Sequence, residues 1–438
     1  MTTTALGGQC RPPVRTADTG GDVPAGNRLR RPWSLLMGPG LLVAVGYMDP
    51  GNWATDIEAG ARLGYGLLFV VLLAGGAAML LQSLAMRLGV ASGRDLAQLS
   101  RDHFGPRLGA TFGVLAIAAI VATNVAEVLG AALGFKLLFG FPLAIGVALT
   151  ALAAFLILNL KGRGMTGISA IVIMLVAVIT ICLVLELVLA RPDPASVARG
   201  LLPSRDLLAD PFAAYLAIGI LGATVMPHNL YLHSTLVAGT PASRRQRIRS
   251  GTLDTIVSLG LATFLNLAIL AVAASIFHAR GEVGAGIEEA HRLLTPLAGS
   301  GIAGGLFAVA LLAAGHSSTL TGAMAGQAIF DGFFRHNPPA WQQWLFTRVL
   351  AILLALTGVL LLGDGSASTL LVLSQVILSF QLPFAVFPLI RFAASERYMG
   401  RHAITAPTRL AAWAVFAIIC LANLYLVASA VAGATGLR

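Results

Sequence analysis

The stretch Tyr47-Met48-Asp49-Pro50-Gly51-Asn52 decides the fold. An apolar run from Leu35 to Gly46 leads into it, as a membrane helix would begin. A carboxylate, a proline, a glycine and an amide then stand where that helix should continue. Proline removes a backbone donor and disfavours helix at the residue before it, here Asp49. Glycine adds backbone freedom. The pattern predicts two half-helices joined by an unwound hinge. Such a hinge survives at membrane depth only where it is buried in protein or lines a cavity. An acid there is costly, so Asp49 is expected to meet something positive.

Working outward, the chain is 57% hydrophobic and 11% charged, whereas soluble domains carry about 25% charged residues. Apolar spans of about 20 residues, each long enough to cross a bilayer, recur throughout. Eleven are read: 35–61, 65–90, 111–139, 142–160, 167–190, 212–238, 252–277, 301–322, 344–362, 368–392 and 408–431. Residues 1–31, rich in Thr, Gly, Pro and Arg, lack the apolar core of a signal peptide and are expected to form a disordered cytoplasmic tail. The net charge of +10 is explained by loop arginines. With the N-terminus cytoplasmic and the C-terminus outside, most of the 29 Lys and Arg fall on the inner side. That distribution excludes a nucleic-acid role and makes the lipid bilayer the partner. Cys10, Cys182 and Cys420 are too scattered for a disulfide framework or a zinc site.

The sixth span is also interrupted, at Met226-Pro227, and resumes with His228 and His233. Two broken spans five apart predict an inverted repeat, because an odd repeat length flips the second copy. Paired interruptions in the two halves are a pointer to a transporter binding site. The organisation expected is therefore a core at 32–395, with halves at about 32–190 and 211–395, followed by an eleventh span within 396–438. Asp49 offers a hard oxygen and Asn52 a neutral one three residues on. Breaking the helices frees carbonyls near Gly46 and Ala223, and Met226 offers a thioether. Calcium and magnesium want only oxygen. A soft sulfur favours a transition metal such as manganese, iron(II), cobalt or cadmium.

These motifs resemble the Nramp family of proton-coupled divalent-metal transporters. The resemblance rests on Asp49-Pro50-Gly51-Asn52, on Met226-Pro227-His228, and on Gly315-His316-Ser317-Ser318-Thr319-Leu320-Thr321-Gly322 followed by Ala325-Gly326-Gln327. It implies an all-α, LeuT-like fold and import of manganese or iron(II) driven by protons. It also implies that Asp49, Asn52, Met226 and the carbonyls of Gly46 or Ala223 hold the metal, with Gln375 joining in some states. Glu127 resembles the third-helix acid of the proton route, and His228 and His233 the sixth-helix histidines tied to coupling. Arg348 resembles an arginine at the cytoplasmic end of that route. Two residues depart from the family pattern. Asn124 stands where an Asp is frequent, and an amide does not titrate like a carboxyl. His316 stands where Gln is usual, near the expected cytoplasmic end of the eighth span.

Other residues are read more plainly. Glu127 is a lone acid in an apolar span with no charge partner nearby in sequence, which favours a functional role. Asp56 and Glu58 are placed in an outer vestibule or a solvated helix end, and Glu186 at the interface. Arg244 to Arg249 are read as topology and headgroup contacts. A sodium-coupled symporter of an organic solute is the alternative on the same fold, but it has no use for sulfur at Met226. A passive metal conduit with weak proton coupling is another, and it needs no pair of broken helices. A membrane metalloenzyme would need a cluster such as H-E-x-x-H, which is absent. The expectation is a transporter without a cofactor, not an enzyme, in a bacterial inner membrane.

Overall fold

The computed structural model describes residues 38–159, 164–204, 210–239, 243–281, 286–294, 302–334 and 338–435. The expected tail at 1–31 lies outside them. Every regular element among the described residues is helical. The first span is α1 (Pro39–Gly46) and α2 (Pro50–Leu63), and a 3-10 turn joins α2 to the second span, α3 (Leu68–Ser92). Then come α4 (Leu96–Phe139), α5 (Leu143–Asn159), α6 (Gly164–Ala190) and a short connecting helix, α7 (Pro194–Gly200). The second half opens with α8 (Pro211–Thr224) and α9 (Pro227–Val237). It continues with α10 (Arg244–Ile276), the short α11 (Ile287–Leu294), α12 (Ile302–Phe333), α13 (Ala340–Leu362) and α14 (Ala367–Ala393). A four-residue α15 (Glu396–Met399) precedes the last span, α16 (Ala406–Thr435). Nine stretches of the described residues are long and apolar enough to cross a bilayer. One of these, Pro50–Ser92, holds the second half of the first span together with the second span, and Leu143–Leu156 is a shorter apolar helix. The chain is thus a multi-pass membrane protein, and each of the eleven expected spans has a helical counterpart.

Both breaks have one local cause. Asp49 and Met226 each precede a proline, and each is extended (φ −71°, ψ 161° and φ −79°, ψ 116°). Each is also the N-cap of the half-helix that follows, with proline at the first helical position, where its missing N–H costs nothing. The Asp49 side chain accepts the N–H of Asn52, as a capping carboxylate does. Met226 has no such oxygen and makes no capping bond.

The centre of the bundle is α4 against α12, with α10 packed on α1, α2 and α3, and α14 on α4 and α8. Gly130 decides how closely the first break approaches α4. A Cβ there would run into the Pro50 ring, so the bare glycine is what lets that ring seat. At the start of α4 the chain kinks at Gly105-Pro106, where Gly105 has φ 80°. The last span, α16, lies on the outside and turns Leu410, Ile418, Leu421 and Leu424 outward. It is fixed to α14 by a reciprocal pair: the Ser379 hydroxyl donates to Asn423 Oδ1 and Asn423 Nδ2 donates to the Ser379 carbonyl, both at 2.7 Å.

Several expected boundaries move. The eighth span runs on to Phe333, so His316 is near the middle of α12 and not at its end. There His316 Nδ1 bonds the Leu312 carbonyl at 2.9 Å, a local partner. The ninth span begins at Ala340 rather than at residue 344, which sets Arg348 deeper inside the helix than the expected boundary did. Arg244 to Arg249 form the first turns of α10. Glu186, expected at the interface, is 2% exposed, and Asp56, expected at a solvated helix end or vestibule, is 1% exposed. In each case tertiary packing covers a polar residue that the local sequence leaves open.

Gly130→Val is expected to lower stability by about 1–3 kcal/mol or more through overpacking against Pro50. Thermal unfolding of the detergent-solubilised protein checks this, and an unchanged midpoint would contradict the packing described.

Candidate metal centre

The two breaks meet at the centre of the molecule. Asp49, Met226, Ala223 and Gln375 are fully buried, and Asn52 nearly so. Asp49 Oδ1 accepts both the backbone N–H and the side-chain Nδ2 of Asn52, each at 2.8 Å. Asn52 Nδ2 also reaches the freed carbonyl of Ala223 at 3.3 Å, and this contact ties the first break to the second. The Gly46 carbonyl accepts the Asp49 N–H at 3.3 Å. Gln375 presses on the break from α14. Its amide abuts Gly51, where a Cβ would overlap it, and its backbone carbonyl abuts Gly222 in the same way. All six residues expected at a metal site are therefore in one place.

Two asparagines complete the centre. Asn229 Nδ2 lies 3.5 Å from the Met226 sulfur, against the open face of Gly46. Asn266, on α10, donates from Nδ2 to the Tyr47 carbonyl at 3.2 Å and to Asn52 Oδ1 at 3.3 Å. The sequence carried a signal for Asn229. Asp49-Pro50-Gly51-Asn52 and Met226-Pro227-His228-Asn229 share the pattern x-Pro-x-Asn, so both half-helices place an amide three residues after the cap. Asn266 is a lone amide in an apolar run.

The polar atoms of this centre are not all satisfied. Asp49 Oδ2, Asn229 Oδ1, Asn266 Oδ1 and Gln375 Oε1 are buried without a hydrogen-bond partner among the described residues. Each such orphan costs free energy, and a carboxylate oxygen costs the most. Four orphans of one kind, all acceptors, are what a cation would satisfy. Among the described residues no three His, Cys, Asp or Glu side chains gather as a metal cluster. The centre offers one carboxylate, amides, carbonyls and a thioether.

A second polar cluster lies on α4. Arg348 Nη1 is 2.8 Å from Glu127 Oε2 and 3.5 Å from Asn124 Oδ1, and Nη2 is 3.1 Å from the Thr319 hydroxyl. Glu127 is fully buried, Arg348 2% exposed, and Glu127 Oε1 has no partner among the described residues. Gly322 leaves room for that oxygen, since a Cβ would stand 2.7 Å from it. The acid that looked alone in sequence is thus paired from α13. Gly130, which receives Pro50, is three residues from Glu127 on the same helix, so this cluster neighbours the first break.

The two histidines go separate ways. His228 Nδ1 lies 3.4 Å from the Thr123 hydroxyl, beside Asn124, and so faces the α4 cluster. His233 Nδ1 lies 3.0 Å from Gln82 Oε1, and Gln82 Nε2 donates to the Tyr47 hydroxyl at 2.7 Å. His233 therefore connects to the first break and not to Glu127. Near the other end of α2, Glu58 pairs with Arg62 at 3.3 Å.

A bundle with paired breaks that share a buried polar centre is the architecture of a secondary transporter. The family profile described as "Natural resistance-associated macrophage protein-like" matches residues 40–429, and the chain belongs to the Nramp family, whose members are transporters and not enzymes. A divalent metal cation transporter MntH of Ralstonia nicotianae is 52% identical over 418 residues, which is 94% of each chain. MntH 1 of Pseudomonas aeruginosa is 53% identical over 410 residues, covering 92% of this chain and 93% of that one. A crystal structure of the Eremococcus coleocola manganese transporter superposes with a TM-score of 0.84 at 35% identity, over 94% of this chain and 90% of that one. The structure of MhsT with L-phenylalanine, 18% identical with a TM-score of 0.63 over 88% of this chain and 98% of that one, shares the LeuT-like fold.

Breaking the buried ion pair from one side is expected to cost about 3–5 kcal/mol, since the other charge is left uncompensated. In a double-mutant cycle on unfolding midpoints, Glu127→Gln and Arg348→Gln should each destabilise, and the double variant by less than the sum. Additive effects would contradict a direct pair.

Proposed function

We propose that this protein imports divalent transition-metal ions, manganese above all and also iron(II), cadmium or cobalt, coupled to protons by alternating access. The observation that carries the proposal is the set of orphaned acceptors around Asp49, next to the Met226 sulfur. Asp49, Asn52, Met226 and the carbonyls of Gly46 and Ala223 hold the metal, with Gln375 joining from α14. The divalent-metal and manganese transporters among its relatives support this class of cargo. The sulfur disfavours calcium and magnesium, which gain nothing from a thioether.

The two breaks then act as hinges. Half-helices α1 and α9 form one side of the break and α2 and α8 the other, so the bundle can open to either face in turn. Metal sheds part of its water at Asp49 and regains it on release. A proton passes through Asp49 or His228 toward Glu127, with Asn124 and Arg348 setting the acid's surroundings and His233 linked to the first break through Gln82. Arg348 keeps a counter-charge on Glu127 at membrane depth, where an isolated carboxylate is costly. The arginines at 244–249 and near α3 and α14 support a cytoplasmic N-terminus and an outer C-terminus in a bacterial inner membrane.

Purified protein in liposomes should take up manganese, faster with an inward proton gradient and with little competition from excess calcium or magnesium. Met226→Ala should lose that resistance to competition while retaining uptake of manganese. Absence of manganese movement in the parent would overturn the proposal, and equal uptake without the gradient would remove the proton coupling from it. Glu127→Gln is expected to bind metal and to lose metal-linked proton flux, read with a pH-sensitive dye inside the liposomes. Unchanged flux would exclude the route through Glu127.

A further inference from the structure

We propose that Asp254 is a positioning residue that latches the half-helix α1 against α10 and so biases the protein toward the state closed on that face. The proposal rests on the transporter reading above. Helix α1 has eight residues, begins with Pro39, and receives no capping bond from the side of its own N-cap, Gly38. The first N–H groups of any helix lack internal partners. Here one is met from another span: the Gly40 N–H donates to Asp254 Oδ2 at 2.8 Å, across 214 residues of sequence. Asp254 is 7% exposed, and its Oδ1 lies 3.4 Å from the Ser258 hydroxyl. The approach depends on two glycines. A Cβ on Gly40 would stand 2.7 Å from Oδ2, and one on Gly38 would overlap the same carboxylate. A carboxylate aimed at a helix N-terminus gains both the charge-assisted bond and the helix dipole.

The surroundings give this contact a consequence. A cavity of about 330 Å³ lies beside it, lined by Gly38, Pro39, Met86, His233, Arg247 and Asp254, among others. One wall is the start of α1. The cavity reaches His233, which connects through Gln82 to Tyr47 in the first break. Moving α1 off α10 joins the cavity to that break, and it cannot happen without parting Gly40 from Asp254. The carboxylate therefore holds the wall shut, and it does so without touching the metal centre.

The test uses the full chain in membrane vesicles, with Cys10, Cys182 and Cys420 replaced by Ser. A reporter Ala44→Cys in α1 is labelled by an impermeant maleimide from the face where α1 begins, and a reporter Ala59→Cys in α2 from the opposite face. Both positions are fully buried in this state. Asp254→Ala should speed Ala44→Cys labelling by roughly tenfold, the weight of a charge-assisted bond, and slow Ala59→Cys labelling. Gly40→Ala, which keeps the carboxylate but denies it access, should do the same. Labelling that rises at both reporters means general loosening and overturns the latch, as does no change at either. Manganese uptake by the parent is measured in the same vesicles. If that uptake is absent the transport reading fails, while the labelling still decides the latch.

Discussion

Proline keeps the residue before it out of the helical region, and in this chain those residues are Asp49 in one half and Met226 in the other. The rest of the centre follows from that constraint. An extended residue at each break frees carbonyls that a continuous helix would have consumed, and Ala223 offers one of them to Asn52. Each break also begins a new half-helix, so a cap position and its dipole point into the interior rather than at water. A membrane tolerates this only if the rest of the bundle closes round it. It does so with bare glycines: Gly130 for Pro50, Gly51 and Gly222 for Gln375, and Gly46 for Asn229.

The same constraint explains the distribution of polar groups. Side chains with a protein partner hold the framework: Asn266 on Tyr47 and Asn52, Gln82 between Tyr47 and His233, Asn423 on Ser379. Among the described residues, unpartnered acceptors include Asp49 Oδ2, Asn229 Oδ1, Asn266 Oδ1 and Gln375 Oε1 at the breaks and Glu127 Oε1 beside them, while others, such as Glu186 Oε1 and Gln381 Oε1, lie elsewhere. Satisfied bonds thus surround the unsatisfied acceptors at the breaks, an arrangement that suits a cation. The Glu127–Arg348 pair sits one step away, joined to the first break through the contact of Pro50 with Gly130 and to the second through Thr123 and His228. The ion pair thereby lies beside the centre formed by the breaks but not in it, and Asp49 is the carboxylate of that centre.

Much of this was legible in the chain. Pro50 and Pro227 marked both breaks, because proline acts on its immediate neighbour and needs no tertiary context. The eleven spans were legible because lipid demands apolar length. What local sequence hid were partners far away in the chain. Glu127 looked solitary because Arg348, on another span, lies 221 residues on. Glu186 and Asp56 were misplaced for the same reason, since other spans cover them. Asn229 stood in plain view in Met226-Pro227-His228-Asn229.

The central claim is that the two breaks form one metal site with oxygen from the first and sulfur from the second. The most direct measurement is an anomalous difference map from crystals soaked in manganese, compared with one from Met226→Ala crystals. The account predicts a single strong peak between Asp49 and Met226 in the parent, with the thioether in its coordination shell, and a shifted or weakened peak in the variant. A peak away from Asp49, or one that Met226→Ala leaves unmoved and undiminished, would contradict it.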